Sequence, residues 1–420
     1  MMQSPQRLRL ASIVIASIVA LAPIVGLALA QDATREFTIW FGRRDFIPDD
    51  EFVTFHQENP DIRVTFDVIP LEQGLTEYIP AFQFDRAPDI LQLNHFNILP
   101  LVQQDMLADI GSVLEQWQAE DPEGFADVAP VAFELASVGD VTYGMSMWAG
   151  PRFHAYRVDL FEEAGLSAPE TWDDVLEAAR VLNAPDMLGM SIHGSRAHSP
   201  LGWFGSKFMN MGGVFIDGVM QIDSDAGVYL LEFYQTLQLE GLIDSDVLAL
   251  DSGDFRAAFL GGRAAQFFEA ANLYPTLNQN LEFSTEWAAV PPPVRPGGEA
   301  DYAVPGFGWP FLVNANVDDM DAVYKIFRYL SEYSGQVAIR YQPPTRLSVF
   351  QDPDFLAAQP WWEDLAPVFE EMVMFPNHPR IPEMEEVILD AKQWALMNPE
   401  GDAREAAARF QEELNAIHDR

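Results

Sequence analysis

The chain has 420 residues, 49% of them apolar and 12% aromatic, enough for a substantial core shared between two domains. It has no Cys, which excludes disulfides, a thiol nucleophile and any Cys-based metal site. Its 64 Asp and Glu stand against 24 Lys and Arg, a balance that repels nucleic acid and anionic membranes and fits either a saline habitat or an ordinary acidic exported protein.

The first residues, MMQSPQRLRL, carry Arg7 and Arg9, and the apolar stretch that follows ends Ala28-Leu29-Ala30. A positive region, an apolar region and an A-x-A site describe a cleavable export signal over residues 1–30, with a membrane anchor as the competing reading. Pro23, Gly26 and the small residues at the end favour cleavage, and no Cys follows to carry a lipid. The expected product is a periplasmic monomer without membrane insertion.

Glu36–Phe41 (EFTIWF) alternates as a short strand, and Asp49-Asp50 predicts a cap for a helix over Glu51–Gln57. Ile62–Val68 alternates again, Leu71–Phe84 reads as a helix that Pro80 should kink or divide, and Asp89–Leu93 reads as a buried strand. This order argues for an α/β fold with a largely parallel sheet. Ligands of such sheets sit beyond the C-terminal ends of strands, which singles out the loops Phe41-Gly42-Arg43-Arg44-Asp45 and Asn94-His95-Phe96-Asn97.

Tyr143–Trp148 leads through Gly150-Pro151 to Arg152–Tyr156. Thr171 and Asp174 predict a capping box for a helix reaching about Leu182, and Val228–Leu239 is a second striped helix. Gly261–Phe268 turns into a strand, and the prolines at 291–293 and 296 mark a loop. In VPGFGWPFLVNA (304–315), Gly308 and Pro310 keep Trp309 out of regular structure, on a loop stiffened by proline where glycine permits close approach. Asp319–Tyr333 is a helix with Met320, Val323, Tyr324, Phe327 and Leu330 on one face, and further helices follow 361, the last over about Ala403–His418.

Signals for catalysis are weak. There is no G-x-S-x-G, no H-E-x-x-H and no G-x-x-x-x-G-K-[ST]. His193 and His198 have the wrong helical phase for two ligands on one face, so no metal and no cofactor are expected. Several loops instead join aromatics to groups that form planar hydrogen bonds: Trp40–Asp45, Asn94-His95, Trp148–Arg152, Trp203-Phe204, Glu269–Asn272, Gly306–Trp309 and Pro344–Arg346. The apolar face of a sugar ring suits indole, and its hydroxyl rim suits Arg, Asn, Asp and Glu. Against this, Trp148 and Trp203 could be core, Arg43 and Arg44 could merely neutralise local acids, and Glu269 could simply pair with Arg263.

Six patterns in order give a resemblance. FTIWFG opens the series, followed by FVTFHQENPDIRVTF, RAPDILQLN, the long VTYGMSMWAGPRFHAYRVDLFEEAGLSAPETWDDVLEAAR, VPGFGWPFLVNANVDDMDAVYKIFRYLSEYSGQ and YQPPTRLSVFQDP. Together they resemble the extracellular solute-binding proteins of sugar ABC importers, the maltose-binding-like family 1. Two departures, Arg157-Val158 after Tyr156 where the family has Asn, and the Met145–Met147 run, leave substrate identity open.

The resemblance implies two α/β lobes of the type II periplasmic-binding-protein fold, each a mixed, mostly parallel sheet flanked by helices and joined by three crossings. Lobe 1 is expected over 31–148 plus 287–330 and lobe 2 over 149–286 plus 331–420. Ligand would lie in the cleft, with Trp309 and Trp203 as stacking groups. Arg43, Asp45, Asn94, Arg152, Glu269 and Arg346 would bond its rim, beside Trp148, with Gly308 clearing room for a sugar ring. The expected partners are a mono- or oligosaccharide and the transmembrane subunits of a permease that reads the closed shape. The three arginines 43, 152 and 346 also suit an anionic sugar or a sugar-phosphate ester. A secreted glycoside hydrolase is the rival of another class. Iron and polyamine ligands fit less well, for want of a His/Tyr cluster and of clustered carboxylates in these loops.

Overall fold

Alternation in EFTIWF and IRVTFDV places the buried side chains Phe37, Ile39, Phe41, Ile62 and Val64 on one face of a sheet. The computed structural model describes residues 34–420 apart from 198, 298–303, 339–342, 370–371 and 377. The expected export signal lies outside the described residues. No helix among the described residues is long and apolar enough to cross a membrane.

The strands in chain order are β1 (Arg35–Phe41), β2 (Ile62–Val68), β3 (Ile90–Gln92), β4 (Ser137–Val138), β5 (Val141–Thr142), β6 (Gly144–Met145), β7 (Arg152–Tyr156), β8 (Phe215–Ile216), β9 (Val219–Met220), β10 (Gln266–Ala270), β11 (Ala288–Val290), β12 (Val304–Gly306), β13 (Phe311–Val313) and β14 (Met372–Met374). A five-stranded sheet has the order β2-β1-β3-β13-β6. β1 runs parallel to β2 and β3, whereas β13 returns antiparallel to β3 and β6. Ile39, Phe41, Ile90, Phe311 and Val313 pack on one face against Val323, Tyr324, Phe327 and Leu330 of the helix Met320–Ala338. The intervening Leu91 and Leu312 pack on the other face with Tyr78. With both faces covered, β3 and β13 are buried at every position, and the one polar side chain among them, Gln92, is buried with hydrogen-bond partners.

A second sheet, β10-β7-β11, is antiparallel, with single parallel bridges from Leu188 and Ser191 to its β10 edge. Its β10 also faces two ways: Phe267 joins a core with Phe153, Phe259 and Trp287, and Phe268 joins one with Trp172, Leu230 and Ile388.

The local expectations hold in most places. The capping box of Thr171 and Asp174 starts the helix Trp172–Leu182, and the last helix is Ala403–His418. Asp50 accepts from the amides of Phe52 and Thr54 ahead of the helix Val53–Glu58. The helix Leu71–Gln83 continues through Pro80 instead of dividing there.

Two segments carry on past the boundaries expected at 287 and 330. Ala288–Val290 pairs with β7 in the second sheet, and Trp172 donates to Val294 O at 3.0 Å, so the chain leaves the second half after 287. The helix Met320–Ala338 stays with the first half beyond 330, because Tyr333 reaches the amide of Asp49 at 2.7 Å. Both shifts come from long-range pairing that local pattern does not encode.

Candidate functional site

Three passages of chain run side by side between the halves. Gly150 N donates to Phe307 O at 2.7 Å, Ala149 N to Pro343 O at 3.2 Å and Thr345 N to Met147 O at 3.0 Å. The first two passages pack so closely that a Cβ on Gly150 would lie 2.6 Å from the Phe307 ring.

On the side of the first sheet, Trp309 is half-buried. Its indole leans on Phe46 at a centroid distance of 5.9 Å and 35°, and meets the edge of Phe307 at 5.5 Å. Phe46 lies on Trp148 at 4.2 Å, and the exposed Arg43 holds its guanidinium 5.4 Å from the Phe46 ring. Two buried polar side chains fix this wall. Gln92 accepts from Gly42 N at 2.8 Å and donates to Trp309 O at 3.2 Å, tying the loop after β1 to the Trp309 loop. The amide of His95 donates to Gly308 O at 3.2 Å, and its ring Nδ1 lies 3.4 Å from Gly308 N. Burial pushes the His95 imidazole down to about 4, so the ring is neutral at pH 7.

On the side of the second sheet, Trp203 stands half-buried on the single π-helical turn Leu201–Gly205. Arg152, at the start of β7, is buried with its guanidinium 4.7 Å from the Trp203 ring and 4.4 Å from the Phe307 ring. Its Nε and Nη1 are buried without a hydrogen-bond partner. Burial pulls this guanidinium down to about 10, a shift that Glu269 opposes and Arg256 reinforces. His193 meets Trp203 edge-on at 4.6 Å, and Arg256 approaches the same indole at 5.8 Å. Among the described residues no group of three or more His, Asp or Glu could hold a metal ion.

The family model described as bacterial extracellular solute-binding protein matches residues 44–337, well over half of the chain. The chain belongs to this family. Solute-binding proteins of known structure share its fold: MalE of Xanthomonas citri at a TM-score of 0.74 and 19% identity, covering 91% of this chain and 97% of that one. A protein of Agrobacterium radiobacter K84 in complex with ribitol gives 0.73 and 19%, covering 92% and 99%. Maltose-bound MalE3 of T. maritima gives 0.72 and 23%, covering 91% and 99%. The fold is thereby the two-lobe type II periplasmic-binding-protein fold. A relative in Brucella abortus whose name calls it a binding protein is 22% identical over 250 residues, 56% of this chain and 57% of its own. The chain thus spans little more than half the length of the curated relatives it matches.

Within this solute-binding protein the expected site residues separate. Trp309 with Arg43, and Trp203 with Arg152, stand on the two walls beside the crossings. Trp148 is core: it is 1% exposed behind Phe46 and presents no open face. Glu269 is fully buried and pairs with Arg256 at 2.6 Å, not with Arg263. Arg346 pairs with Asp127 at 2.7 Å and anchors the third crossing. Asn94 spends its side-chain oxygen on Phe96 N at 3.1 Å. The side chain of Asp45 lies outside the described residues. The glycines clear room for protein instead of a sugar ring: a Cβ on Gly308 would lie 2.6 Å from Leu135 Cδ1, and one on Gly306 2.0 Å from Met372 Cε. Sequence reasoning missed Phe46 and Gln92, and it singled out the loop Gly306–Trp309 without giving Phe307 a role of its own. A buried Gln inside the apolar DILQL was the available signal, since a buried amide needs partners.

Proposed function

We propose that this chain is the solute-capturing subunit of an ABC importer, that its ligand is a carbohydrate or polyol, and that it delivers the ligand unaltered to a membrane permease from the periplasm. The observation that carries this is the pair of half-buried indoles, Trp309 and Trp203, one on each wall beside three hydrogen-bonded crossings. An indole packed on the apolar face of a sugar contributes about 0.5–1.5 kcal/mol beyond area burial. Guanidinium edges at Arg43 and Arg152 then bond the hydroxyl rim, with charged hydrogen bonds contributing about 1.5–3 kcal/mol each.

The mechanism is a population shift. Ligand first rests on one wall, and contacts from the other form only when the lobes close, so binding favours the closed form by the difference in affinity. The structurally similar proteins in complex with ribitol and with maltose support this ligand class.

Thermal-shift screening of the protein against neutral and acidic sugars and polyols tests the proposal, because a ligand that binds only the native state raises the melting temperature. At least one carbohydrate is expected to raise it, and Trp309→Ala or Trp203→Ala to remove the shift. Chromatography should recover the saccharide intact. Shortened product, or no response across the panel, overturns the proposal.

A further inference from the structure

The two half-buried indoles are joined by a continuous set of contacts. Trp309 meets the edge of Phe307 at a centroid distance of 5.5 Å. The Arg152 guanidinium lies 4.4 Å from the Phe307 ring and 4.7 Å from the Trp203 ring. The contacts therefore run from Trp309 through Phe307 and Arg152 to Trp203, from one wall to the other. Their middle is fastened to the crossings: Gly150 N donates to Phe307 O at 2.7 Å, and Arg152 directly follows Gly150-Pro151.

Rings, not an ion pair, hold Arg152 in this slot. Glu269, the carboxylate whose field reaches it, spends Oε2 on Arg256 Nε and Oε1 on the amide of Ala270, each at 2.6 Å. Arg152 Nε and Nη1 make no hydrogen bond. A guanidinium is flat and more weakly hydrated than an ammonium, so its faces can stack between two rings while its edges stay available. The turn that carries Trp203 closes on the same group: a Cβ on Gly202 would lie 2.9 Å from Arg152 Nη2. That turn, Leu201–Gly205, is π-helical, a departure from α geometry that recurs at functional positions.

Neither indole can shift without changing the slot that Arg152 fills. Moving Trp203 opens it on one side, and moving Trp309 loads Phe307, whose carbonyl is tied to the first crossing. We infer that Arg152 is a positioning residue that couples the two walls: a solute stacked on one indole is felt at the other through Phe307 and Arg152, and the crossings bend with this relay. Packed side chains carry coupling when they have two discrete arrangements, here the guanidinium stacked between the rings or released from them. The inference rests on reading Trp309 and Trp203 as the ligand platforms, and it names the part that makes their two grips one event.

Fluorine NMR of the whole protein labelled with 5-fluorotryptophan tests the relay with no solute added. The Trp309 signal is assigned by its loss in Trp309→Phe. Trp203→Ala is expected to move the Trp309 signal in the parent protein and to leave it in place once Arg152→Ala has emptied the slot. In an Arg152→Lys background, which keeps a cation between the rings, Trp203→Ala should move the signal by part of the original shift. Phe307→Ala breaks the relay at its other joint and should silence the response as Arg152→Ala does, so the coupling is decided even where one of these two variants does not fold. A Trp309 signal that ignores Trp203→Ala in the parent, or follows it equally in the Arg152→Ala or Phe307→Ala background, overturns the relay and leaves the carbohydrate reading to the thermal-shift panel. A coupled pair of indoles in a protein that no sugar or polyol stabilises overturns the carbohydrate reading and leaves the relay standing.

Discussion

Two indoles a few residues from the crossings have different work to do. Trp148 is sealed behind Phe46, so Trp148→Ala should cost about 3–5 kcal/mol in a urea titration whether or not ligand is present. Trp309 is half-buried, and Trp309→Ala should cost only about 1–2 kcal/mol without ligand while removing the ligand-induced shift. Equal losses in the two variants would make Trp309 a core plug. Lys207 gives a pH dependence of known sign. Its folded value, lowered by burial to about 7, lies below the 10.5 of the unfolded chain. Between those values the unfolded chain holds a proton that the folded one has released, so stability rises with pH through this window. The melting temperature should climb from about pH 7 to pH 9, and Lys207→Met should flatten the climb while raising the pH 7 value. A slope unchanged in the variant would assign the climb to other groups. At this scale the sequence pointed to the right residue types and often to the wrong partners. Glu269 next to a run of aromatics looked like a ligand group, and only the fold shows Arg256, thirteen positions upstream, on top of it.

Among elements, the crossings are the most constrained. A Cβ at Gly150 meets a ring that its neighbours hold in place, so Gly150→Ala should move Phe307 and loosen the stack over Arg152. The expected cost is about 1–3 kcal/mol in denaturant titration, with weaker ligand binding in the same variant. Thr171→Ala, which removes half of a capping box, should cost about 1 kcal/mol and leave binding unchanged. That helix was readable in advance because a cap and a stripe are both local. The same holds for the helix at 403–418 and for β1 and β2. β11 and β14 were not readable, since three-residue strands take their identity from a distant partner: β11 from β7 and β14 from β12. The surroundings of Trp309 share this property. Phe46 and Phe307 carry no motif, and they matter only because β13 and the crossings bring Trp309 between them.

For the whole molecule, 64 acids against 24 Lys and Arg make self-repulsion a general load on the folded state. Sodium chloride raised from about 0.05 to about 1 M should increase the melting temperature by shortening the screening length from roughly 14 Å to roughly 3 Å. No response would mean that local clasps have already absorbed the repulsion. One such clasp is Arg35 among Asp61, Asp319 and Asp321, where the bond from Lys325 leads in holding the Asp321 carboxyl down to about 2. Hinge closure should appear in solution scattering as a fall in the radius of gyration when the bound saccharide is added, and Gly150→Ala should reduce that fall.

The scarcity of lysine has a practical corollary. Lys207 and Lys392 are buried, and Lys325, one-third exposed, is bridged to Asp321 at 2.8 Å. Reagents that acylate primary amines therefore find scarcely any free handle on the outside of this protein. Biotin or dye esters should label it sparsely, and coupling to a carboxymethyl sensor chip should proceed mainly through the amino terminus. A tag fused to one end is the better tether.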